Sequence, residues 1–275
     1  MITKNSKIII VEPVGGLGNR MRVIASAYAL ANVYQYELKI IWNVNAILKA
    51  EFSDCFQKIA NTQVLNRGSF LYYFQKMPQL IGRSQENIEE RVTINKMRAL
   101  YQQGYRESEF KSFFDNIVQT YSTVYIESDF DFYPHNFNFF LPNCSISKAI
   151  ARFQKLMPSQ IIGIHIRQTD HHISKTHSTV EKFIEVIEKE IENNPVSCFF
   201  LATDELAVQH QLIQKFGSKI IYYSENKSRN SKNGIRQAIV DLFLLSKTSK
   251  IYGSYWSSFS EVASKIGGIE LIIVK

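Results

Sequence analysis

The chain has 275 residues, of which 45% are apolar and 21% are charged. This length suits one large domain or two of ordinary size, and the composition is that of a folded globular protein, which excludes intrinsic disorder and low-complexity structure. The formal net charge of +7 favours an anionic partner, without choosing among phosphorylated small molecules, nucleic acid and anionic lipid.

Several classes of protein are disfavoured by features that the sequence lacks. No apolar run approaches the roughly 18 residues that a membrane-spanning helix needs. The Lys/Arg-rich runs and the aromatic motif of common nucleic-acid-binding domains are missing as well. The three cysteines have no spacing typical of a disulfide framework or a zinc site, which favours a reducing compartment. We therefore predict a cytoplasmic protein with at most peripheral contact at the inner face of the membrane and no nucleic-acid partner.

In chain order, the N-terminal half begins with a strand, a helix and a strand. Hydrophobic periodicity places them at residues 8–14, 17–34 and 38–42. The pattern from residue 45 to residue 121 is irregular and helix-rich, and it gives no clear order of elements. A further strand is predicted at 123–127 and a helix at 148–156, with a domain boundary near residue 145.

The C-terminal half alternates strands and helices four times. Its first helix starts with a predicted capping box, in which Ser178 is the N-cap and Glu181 the third helical residue. This alternation predicts an α/β fold made of two Rossmann-like halves with parallel sheets, which face each other across a cleft and bind ligands beyond the C-terminal ends of their strands. The predicted strands are 161–166, 196–202, 220–223, 251–252 and 269–274, and the later helices are 205–216, 235–247 and 260–266.

A glycine-rich segment, GGLGNR at residues 15–20, lies between the first strand and the first helix. Glycine lets the backbone approach a ligand closely, and a helix N-terminus favours anions. The segment differs from the dinucleotide fingerprint because Met21 occupies the third glycine position and no acidic residue follows the next strand at the usual distance. A nicotinamide cofactor is therefore disfavoured, while a ligand-binding role and a purely structural turn both stay open.

Two polar motifs follow predicted strands at the same edge of the C-terminal sheet. The first, HIRQTD at residues 165–170, ends a buried strand, and Arg167 suits a diphosphate because its planar guanidinium donates paired hydrogen bonds. Asp170 is placed to hold either Arg167 or His171, and a structural Arg–Asp pair is the alternative to ligand binding. The second, LATDE at residues 201–205, puts Asp204 where a strand gives way to a helix, and either helix capping or ligand contact fits it.

Two further sites lie nearer the C-terminus. Asp241 falls at the edge of the apolar stripe of its predicted helix, so its carboxylate is partly desolvated and needs a partner. That partner is either the N–H groups of a guanine ring or a cation such as Arg236. In the segment GSYWSSFS at residues 253–260, the hydroxyls of Ser257 and Ser258 and the N–H groups of a helix start would bind an anion, or they simply cap the helix.

In this order, the five motifs resemble those of the GDP-fucose-dependent fucosyltransferases of the α1,2, α1,6 and protein-O type, and of their short bacterial members in particular. The resemblance is strong over residues 161–275 and good over residues 8–35. Residues 16–19 resemble the first-loop motif of the family, residues 165–170 its HxRxxD element and residues 201–204 its second motif. Asp241 with LLS at residues 244–246 and SSF at residues 257–259 resembles its third region.

The resemblance implies a two-domain GT-B fold, a GDP-fucose or related GDP-sugar donor, inversion at the anomeric carbon, and no cofactor or required metal. Residues 1–145 would form the acceptor side and residues 146–275 the nucleotide-sugar-binding side. Arg167 would bind the β-phosphate and Asp241 the guanine. The residues expected to contact the donor or acceptor are Gly16, Gly18, Asn19, His165, Arg167, Asp241, Ser257, Ser258 and Phe259, and the candidate catalytic residues are Arg167, Asp170 and Asp204.

Other functions fit parts of the sequence. Asp129 and Asp131 match the DxD pattern that holds a metal in another class of glycosyltransferase, which would make the enzyme metal-dependent. His171, His172 and His177 follow no standard metal-ligand spacing. Outside the enzymes, the alternative is a non-catalytic nucleotide- or glycan-binding relic of the fold. The acceptor stays open among a lipid-linked glycan, a free sugar and a protein.

Overall fold

The computed structural model describes residues 7–68, 87–168, 176–223 and 230–275. The chain divides into two units, Met1–Phe140 and Leu141–Lys275. Each unit contains a parallel β-sheet with helices, which confirms the predicted α/β class. Among the helices of the described ranges, none combines the length and the apolar character that crossing a membrane requires.

In the first unit, the described strands form one parallel sheet. They are β1 (Ile8–Pro13), β2 (Glu37–Asn43), β3 (Thr62–Arg67), β4 (Glu90–Val92) and β5 (Thr123–Ser128). Their order in the sheet is β3-β2-β1-β5-β4, with β1 at the centre. The described helices of this unit are α1 (Leu17–Tyr34), α2 (Phe52–Cys55), α3 (Ile94–Gln102) and α4 (Glu107–Thr120).

The junction between β1 and α1 confirms the predicted strand and helix. β1 is apolar apart from Glu12 and is buried along its whole length, as a central parallel strand requires. Gly15 has a φ of 90°, a left-handed conformation that glycine adopts without strain, and Gly16 is the N-cap of α1. α1 then completely buries Met21 and Ile24, which packs the helix against the sheet.

The segment from residue 45 to residue 121 differs from the prediction, because it contributes β3 and β4 as well as helices. Both strands lie at the edges of the described sheet, where polar residues are tolerated. β3 has the sequence TQVLNR, whose polar residues hide the alternation of a strand, and β4 is only three residues long. The helix predicted from residue 148 also starts earlier, at Cys144, because the Asn143 side chain caps it by accepting from the Ile146 amide at 3.0 Å.

A buried carboxylate joins the strand ends of the first sheet. Glu12 of β1 accepts hydrogen bonds from Asn43 Nδ2 at 2.8 Å, from the Arg67 guanidinium at 2.7 Å and from the Tyr125 hydroxyl at 2.7 Å. Burial by itself would raise the pKa of the Glu12 carboxyl, but the three donors and the Arg67 charge outweigh burial and hold that pKa below its usual value. Glu12 is therefore charged at neutral pH and links four strands.

The second unit also has one parallel sheet in its described part. Its strands are β6 (Ile162–Ile166), β7 (Phe199–Thr203), β8 (Ile220–Ile221), β9 (Lys250–Ser254) and β10 (Glu270–Val274), and their order is β10-β9-β6-β7-β8. The described helices are α5 (Cys144–Gln154), α6 (Val180–Asn193), α7 (Leu206–Phe216), α8 (Lys232–Leu245) and α9 (Ser258–Gly267). This alternation confirms the prediction for the C-terminal half.

The strand order of the second sheet reverses at β6. The chain adds β7 and β8 on one side of β6 and then returns to place β9 and β10 on the other side. The carboxyl ends of β6 and β9 therefore form the topological switch point, which is where open parallel sheets bind ligands. A core that includes Phe183, Ile187, Phe199, Leu201 and Leu212, all completely buried, fixes the strands that lead to this point.

The start of α6 corrects one prediction. Its N-cap is Thr179 and not Ser178. The buried Ser178 hydroxyl instead donates to the carbonyl oxygen of Val274 in β10 and accepts from the backbone amide of Tyr255, just after β9, at 2.8 Å. The spacing to Glu181 fits a capping box, but contacts with distant strands determine what Ser178 does.

Candidate functional site

The candidate site of the second unit begins where β6 and β9 end side by side. The backbone amide of Arg167, directly after β6, donates to the hydroxyl of Ser254 at 3.0 Å. Ser254 is the last residue of β9 and is completely buried, and its hydroxyl donates in turn to the carbonyl oxygen of His165 at 3.4 Å. These bonds fix the backbone that carries the Arg167 side chain.

The start of α9 has the properties of an anion-binding site. Trp256 has a φ of 60°, and Ser257 follows it as the N-cap. Ser257 makes no side-chain capping bond, and its buried Oγ has no hydrogen-bond partner in the part of the chain that the structure describes. Such a hydroxyl costs about 1–3 kcal/mol, and the first N–H groups of a helix also lack intrahelical partners. An anion at this helix start would satisfy both kinds of donor.

Two close contacts hold the start of α9 against the sheet. The phenyl ring of Phe259 stacks on the imidazole of His165, with ring centroids 4.8 Å apart and an interplanar angle of 21°. Gly253 of β9 allows the second contact, since a Cβ atom there would lie 2.7 Å from the Ser260 hydroxyl oxygen. The helix start that carries Ser257 and Ser258 therefore adjoins the strand that leads to Arg167.

The backbone after Arg167 is held from two directions. The Gln168 amide donates to Asp204 Oδ1 at 2.7 Å, and its side-chain amide donates to the Ser178 carbonyl oxygen at 2.9 Å. Asp204, a predicted catalytic residue, thus lies beside the end of β6. Asp170, the other predicted carboxylate, lies outside the described residues, as do His171 and His172.

Asp241 of α8 supplies a buried carboxylate in the same unit. The residue is only 6% exposed, which confirms the desolvation predicted from the helical pattern. Arg236, one of the cations considered as its partner, instead donates to the Ser145 hydroxyl. A carboxylate in such surroundings is suited to accept N–H donors, because burial is costly without hydrogen bonds.

The glycine-rich segment of the first unit forms the tight turn into α1. Gly18 and Asn19 lie in the first turn of the helix, where Gly18 is buried and Asn19 is partly exposed. A Cβ atom at Gly15 would lie 2.8 Å from Asn19 Nδ2, so glycine is required there for this contact as well as for its φ of 90°. The helix N-terminus and the Asn19 amide are the polar groups that this turn offers to a ligand.

Arg20 fixes the same turn from inside the unit. Its side chain is 1% exposed and donates to the carbonyl oxygens of Gly15 at 2.8 Å and Asn43 at 2.5 Å. Its guanidinium also lies 4.9 Å from the ring centre of Trp42, which stabilises the charge through a cation–π contact. Burial lowers the pKa of the guanidinium to about 10, so Arg20 stays charged at neutral pH. The last residue of the GGLGNR motif is therefore structural.

The two aspartates of the DxD pattern each pair with an arginine. Asp129 Oδ2 lies 2.5 Å from the Arg98 guanidinium, and Asp131 Oδ1 lies 3.8 Å from that of Arg22. Within the described ranges, no group of three or more His, Cys, Asp or Glu side chains is placed to hold a metal ion. The metal-dependent alternative fits this arrangement poorly, since a cation would have to displace both guanidinium groups.

Of three comparisons with known proteins, only the comparison with solved structures found matches, and these identify the fold. No protein-family model matches the sequence, and no curated protein matches it. Among solved structures, NodZ alpha-1,6-fucosyltransferase soaked with GDP-fucose matches with a TM-score of 0.63 and 16% identity, over 95% of this chain and 92% of that chain (NodZ from Bradyrhizobium is a further match). The chain has the GT-B fold of this fucosyltransferase.

Two further solved structures have a similar fold. A variant of FUT1 from Arabidopsis thaliana in complex with GDP matches with a TM-score of 0.61 and 14% identity, over 98% of this chain and 70% of that chain. POFUT1 in complex with GDP matches with a TM-score of 0.59 and 12% identity, over 99% of both chains. The likeness in all three cases is one of fold.

Three residues of the candidate sites were missed by sequence reasoning. Ser178 and Ser254 hold the strand ends of the second unit, and their partners lie far away in the sequence, so no local pattern predicts these contacts. Arg22 donates to Asn19 Oδ1 at 3.1 Å in the first unit. A signal for this contact was present, because residues three apart on a helix face each other.

Proposed function

We propose that the protein is an inverting, metal-independent glycosyltransferase that moves fucose, or a related sugar, from a GDP-sugar to a hydroxyl of a glycan or another acceptor. One observation carries the proposal: the buried, unpartnered Ser257 hydroxyl lies at the helix start of α9, beside the strand end that carries Arg167, in the part of the chain that the structure describes. This arrangement at the switch point of a parallel sheet is suited to bind an anion, which supports the proposal.

The fold likeness supports a GDP-sugar among the anionic ligands, since NodZ was soaked with GDP-fucose and POFUT1 was crystallised with GDP. In our proposal, the second unit binds the donor nucleotide. Arg167 binds the β-phosphate, Ser257 and Ser258 bind phosphate oxygens, and Asp241 accepts the two N–H donors of guanine. His165 and Phe259 support the phosphate-binding turn through their ring stack.

The first unit provides the acceptor side in this proposal. Gly16 and Gly18 allow close approach to the turn before α1, and Asn19 contacts the donor or the acceptor from the first turn of that helix. A glycan, free, protein-bound or lipid-linked, would supply the attacking hydroxyl. We place the reaction in the cytoplasm, which fits the absence of a disulfide pattern among the three cysteines.

The proposed reaction is a single displacement. The acceptor oxygen forms a bond to the anomeric carbon of the sugar as the bond from that carbon to the diphosphate breaks, which inverts the configuration and releases GDP. Negative charge grows on the leaving phosphate, so Arg167 and the amides near Ser257 stabilise the transition state more than the ground state. The proton of the acceptor hydroxyl passes to a base, for which Asp170, His171 and Asp204 are the candidates.

Titration calorimetry with GDP, NAD and RNA oligomers tests the binding part of the proposal. We expect GDP alone to bind. Binding of RNA or NAD in place of GDP would contradict the assignment. A screen for slow hydrolysis of GDP-, UDP- and CMP-sugars without acceptor then tests the donor, and GDP-fucose or a related GDP-sugar should be the one consumed.

Two further outcomes separate the alternatives. Full activity in the presence of a chelator is expected, and a requirement for manganese would favour the metal-dependent alternative that uses Asp129 and Asp131. GDP binding with no product from any GDP-sugar, with or without glycan acceptors, would show a non-catalytic relic of the fold.

A further inference from the structure

Asn19 is held in one orientation by Arg22. The Arg22 guanidinium donates to Asn19 Oδ1 at 3.1 Å. A guanidinium has donors and no acceptor, so the amide atom that faces it must be the oxygen. The other end of the amide, Nδ2, then faces the turn at Gly15, where it would lie 2.8 Å from a Cβ atom added to that glycine. The N–H₂ end of Asn19 is thus the end directed at the glycine-rich turn.

Arg22 is itself fixed by the segment after β5. Its side chain is 16% exposed, its NH1 lies 3.8 Å from Asp131 Oδ1, and its NH2 lies 3.5 Å from the Asp129 carbonyl oxygen. A partly buried guanidinium with a carboxylate and a carbonyl in reach has few other orientations to adopt. Asp131 therefore contacts Asn19 through one intermediate side chain.

We propose that Arg22 is a positioning residue, with Asp131 behind it, and that the pair keeps the donor end of Asn19 facing a substrate oxygen at the glycine-rich turn. The role toward substrate rests on the proposed function. Phosphate and sugar oxygens accept hydrogen bonds, so an amide fixed with its N–H₂ group toward the glycine-rich turn favours them there, whereas a flipped amide would present its own acceptor. Asp131 of the DxD pattern then orients a side chain and need not bind a metal.

The orientation of Asn19 can be tested without any substrate. In ¹⁵N-labelled protein, the side-chain amide signal of Asn19 is assigned by its disappearance in Asn19→Asp. We expect its order parameter to indicate a rigid amide in the wild type and in Arg22→Lys, which keeps a donor, and to fall below about 0.6 in Arg22→Met. The matched control is Arg98→Met, which breaks only the neighbouring ion pair with Asp129. An unchanged order parameter in Arg22→Met would overturn the proposal.

A double-mutant cycle tests the role toward substrate. Asn19→Asp keeps an oxygen for Arg22 but removes the donor, and we expect it to lose at least about tenfold in GDP-sugar turnover with no loss of stability. In the wild-type background, Arg22→Met should reduce turnover about tenfold, whereas Arg22→Lys and Arg98→Met should reduce it less than twofold. In an Asn19→Ala background, Arg22→Met should cause no further loss of turnover. Equal losses in both backgrounds would show a merely structural Arg22. A wild type that binds no GDP would refute the proposed function, and the order parameter alone would then decide the orientation.

Discussion

The backbone amide of Arg167 is bonded to the hydroxyl of Ser254 at 3.0 Å, so the end of β6 is tied to the end of β9 at the switch point of the second sheet. The donor in this bond is the backbone amide of Arg167 and not its guanidinium. A substitution of the Arg167 side chain keeps this backbone bond, so the two strand ends stay joined by it.

Arg167→Ala should lose at least about a hundredfold in turnover of the GDP-sugar, because one donor aimed at the charge of a leaving group is worth about 3 kcal/mol of barrier. Arg167→Lys should recover only part of the loss, since an ammonium cannot donate two parallel hydrogen bonds to a diphosphate. Steady-state kinetics measure the effect, and urea unfolding of the same variants measures any change in stability separately. Turnover close to that of the wild type would remove Arg167 from the mechanism.

Ser257→Ala should separate binding from stability. The Ser257 hydroxyl makes no capping bond and is buried without a hydrogen-bond partner in the described part of the chain, so its removal should leave the free energy of unfolding unchanged or raise it by up to about 1–3 kcal/mol. GDP affinity should fall about tenfold, the value of one hydrogen bond to a charged group. The matched control is Asn143→Ala, which removes a true cap from α5 and should cost about 1 kcal/mol of stability while leaving GDP affinity unchanged. A stability loss in Ser257→Ala with unchanged GDP affinity would contradict the anion site.

Asp204→Asn tests whether this carboxylate acts in the reaction or only holds the backbone. The asparagine oxygen still accepts from the Gln168 amide, so stability and GDP affinity should stay close to those of the wild type. Turnover should fall by about a hundredfold, because the variant can no longer take a proton. If kinetics instead show turnover within a factor of two, Asp204 is a structural residue and the base lies elsewhere.

Gly15 and Gly16 should respond differently to the same substitution. Gly15→Ala places a Cβ atom against Asn19 at a φ of 90° and should cost about 1–2 kcal/mol of unfolding free energy. Gly16 has a φ of −76° and no atom within 4 Å of an added Cβ, so Gly16→Ala should cost only a few tenths of a kcal/mol. Denaturant unfolding of the two variants measures the difference, and equal costs would contradict the described turn.

Glu12 should make stability depend on pH in the acid range. Its folded pKa lies below the usual value of 4.5, so the unfolded chain binds the proton more readily and stability is lost as the pH falls below about 4.5 through the folded pKa. Glu12→Gln should reduce this dependence, and Tyr125→Phe, which removes one of three donors, should reduce it less. Unfolding free energies between pH 7 and pH 3 provide the measurement. If the unfolding free energy of Glu12→Gln depended on pH as steeply as that of the wild type, Glu12 would not be the source of the dependence.

Local sequence patterns predicted the elements whose residues are apolar and contiguous. β1 and α1 were predicted within one residue, since a fully buried strand and a long helix behind two glycines both leave clear patterns. β3 and β4 were not predicted, because edge strands carry polar residues and β4 has three residues. The tertiary environment decides such segments.

The candidate site was likewise predicted only in part. The residues that border the site could be predicted because they lie at strand–helix junctions, which the sequence pattern marks. The contacts that join one junction to another could not be predicted. The stack of His165 on Phe259 joins residues that are distant in sequence. Ser178 satisfied a local capping pattern and was assigned wrongly, because its hydroxyl is engaged by Tyr255 and Val274. Only the folded chain places these partners side by side.

The link through Ser178 has a consequence for how the second unit moves. Its hydroxyl joins the Tyr255 amide, at the entrance to the α9 turn, to the Val274 carbonyl at the end of the last strand. Opening of that turn must therefore release the Tyr255 proton to solvent. Hydrogen–deuterium exchange at this single amide would report how often the turn opens. Slower exchange after nucleotide is added would show that the nucleotide holds the turn closed.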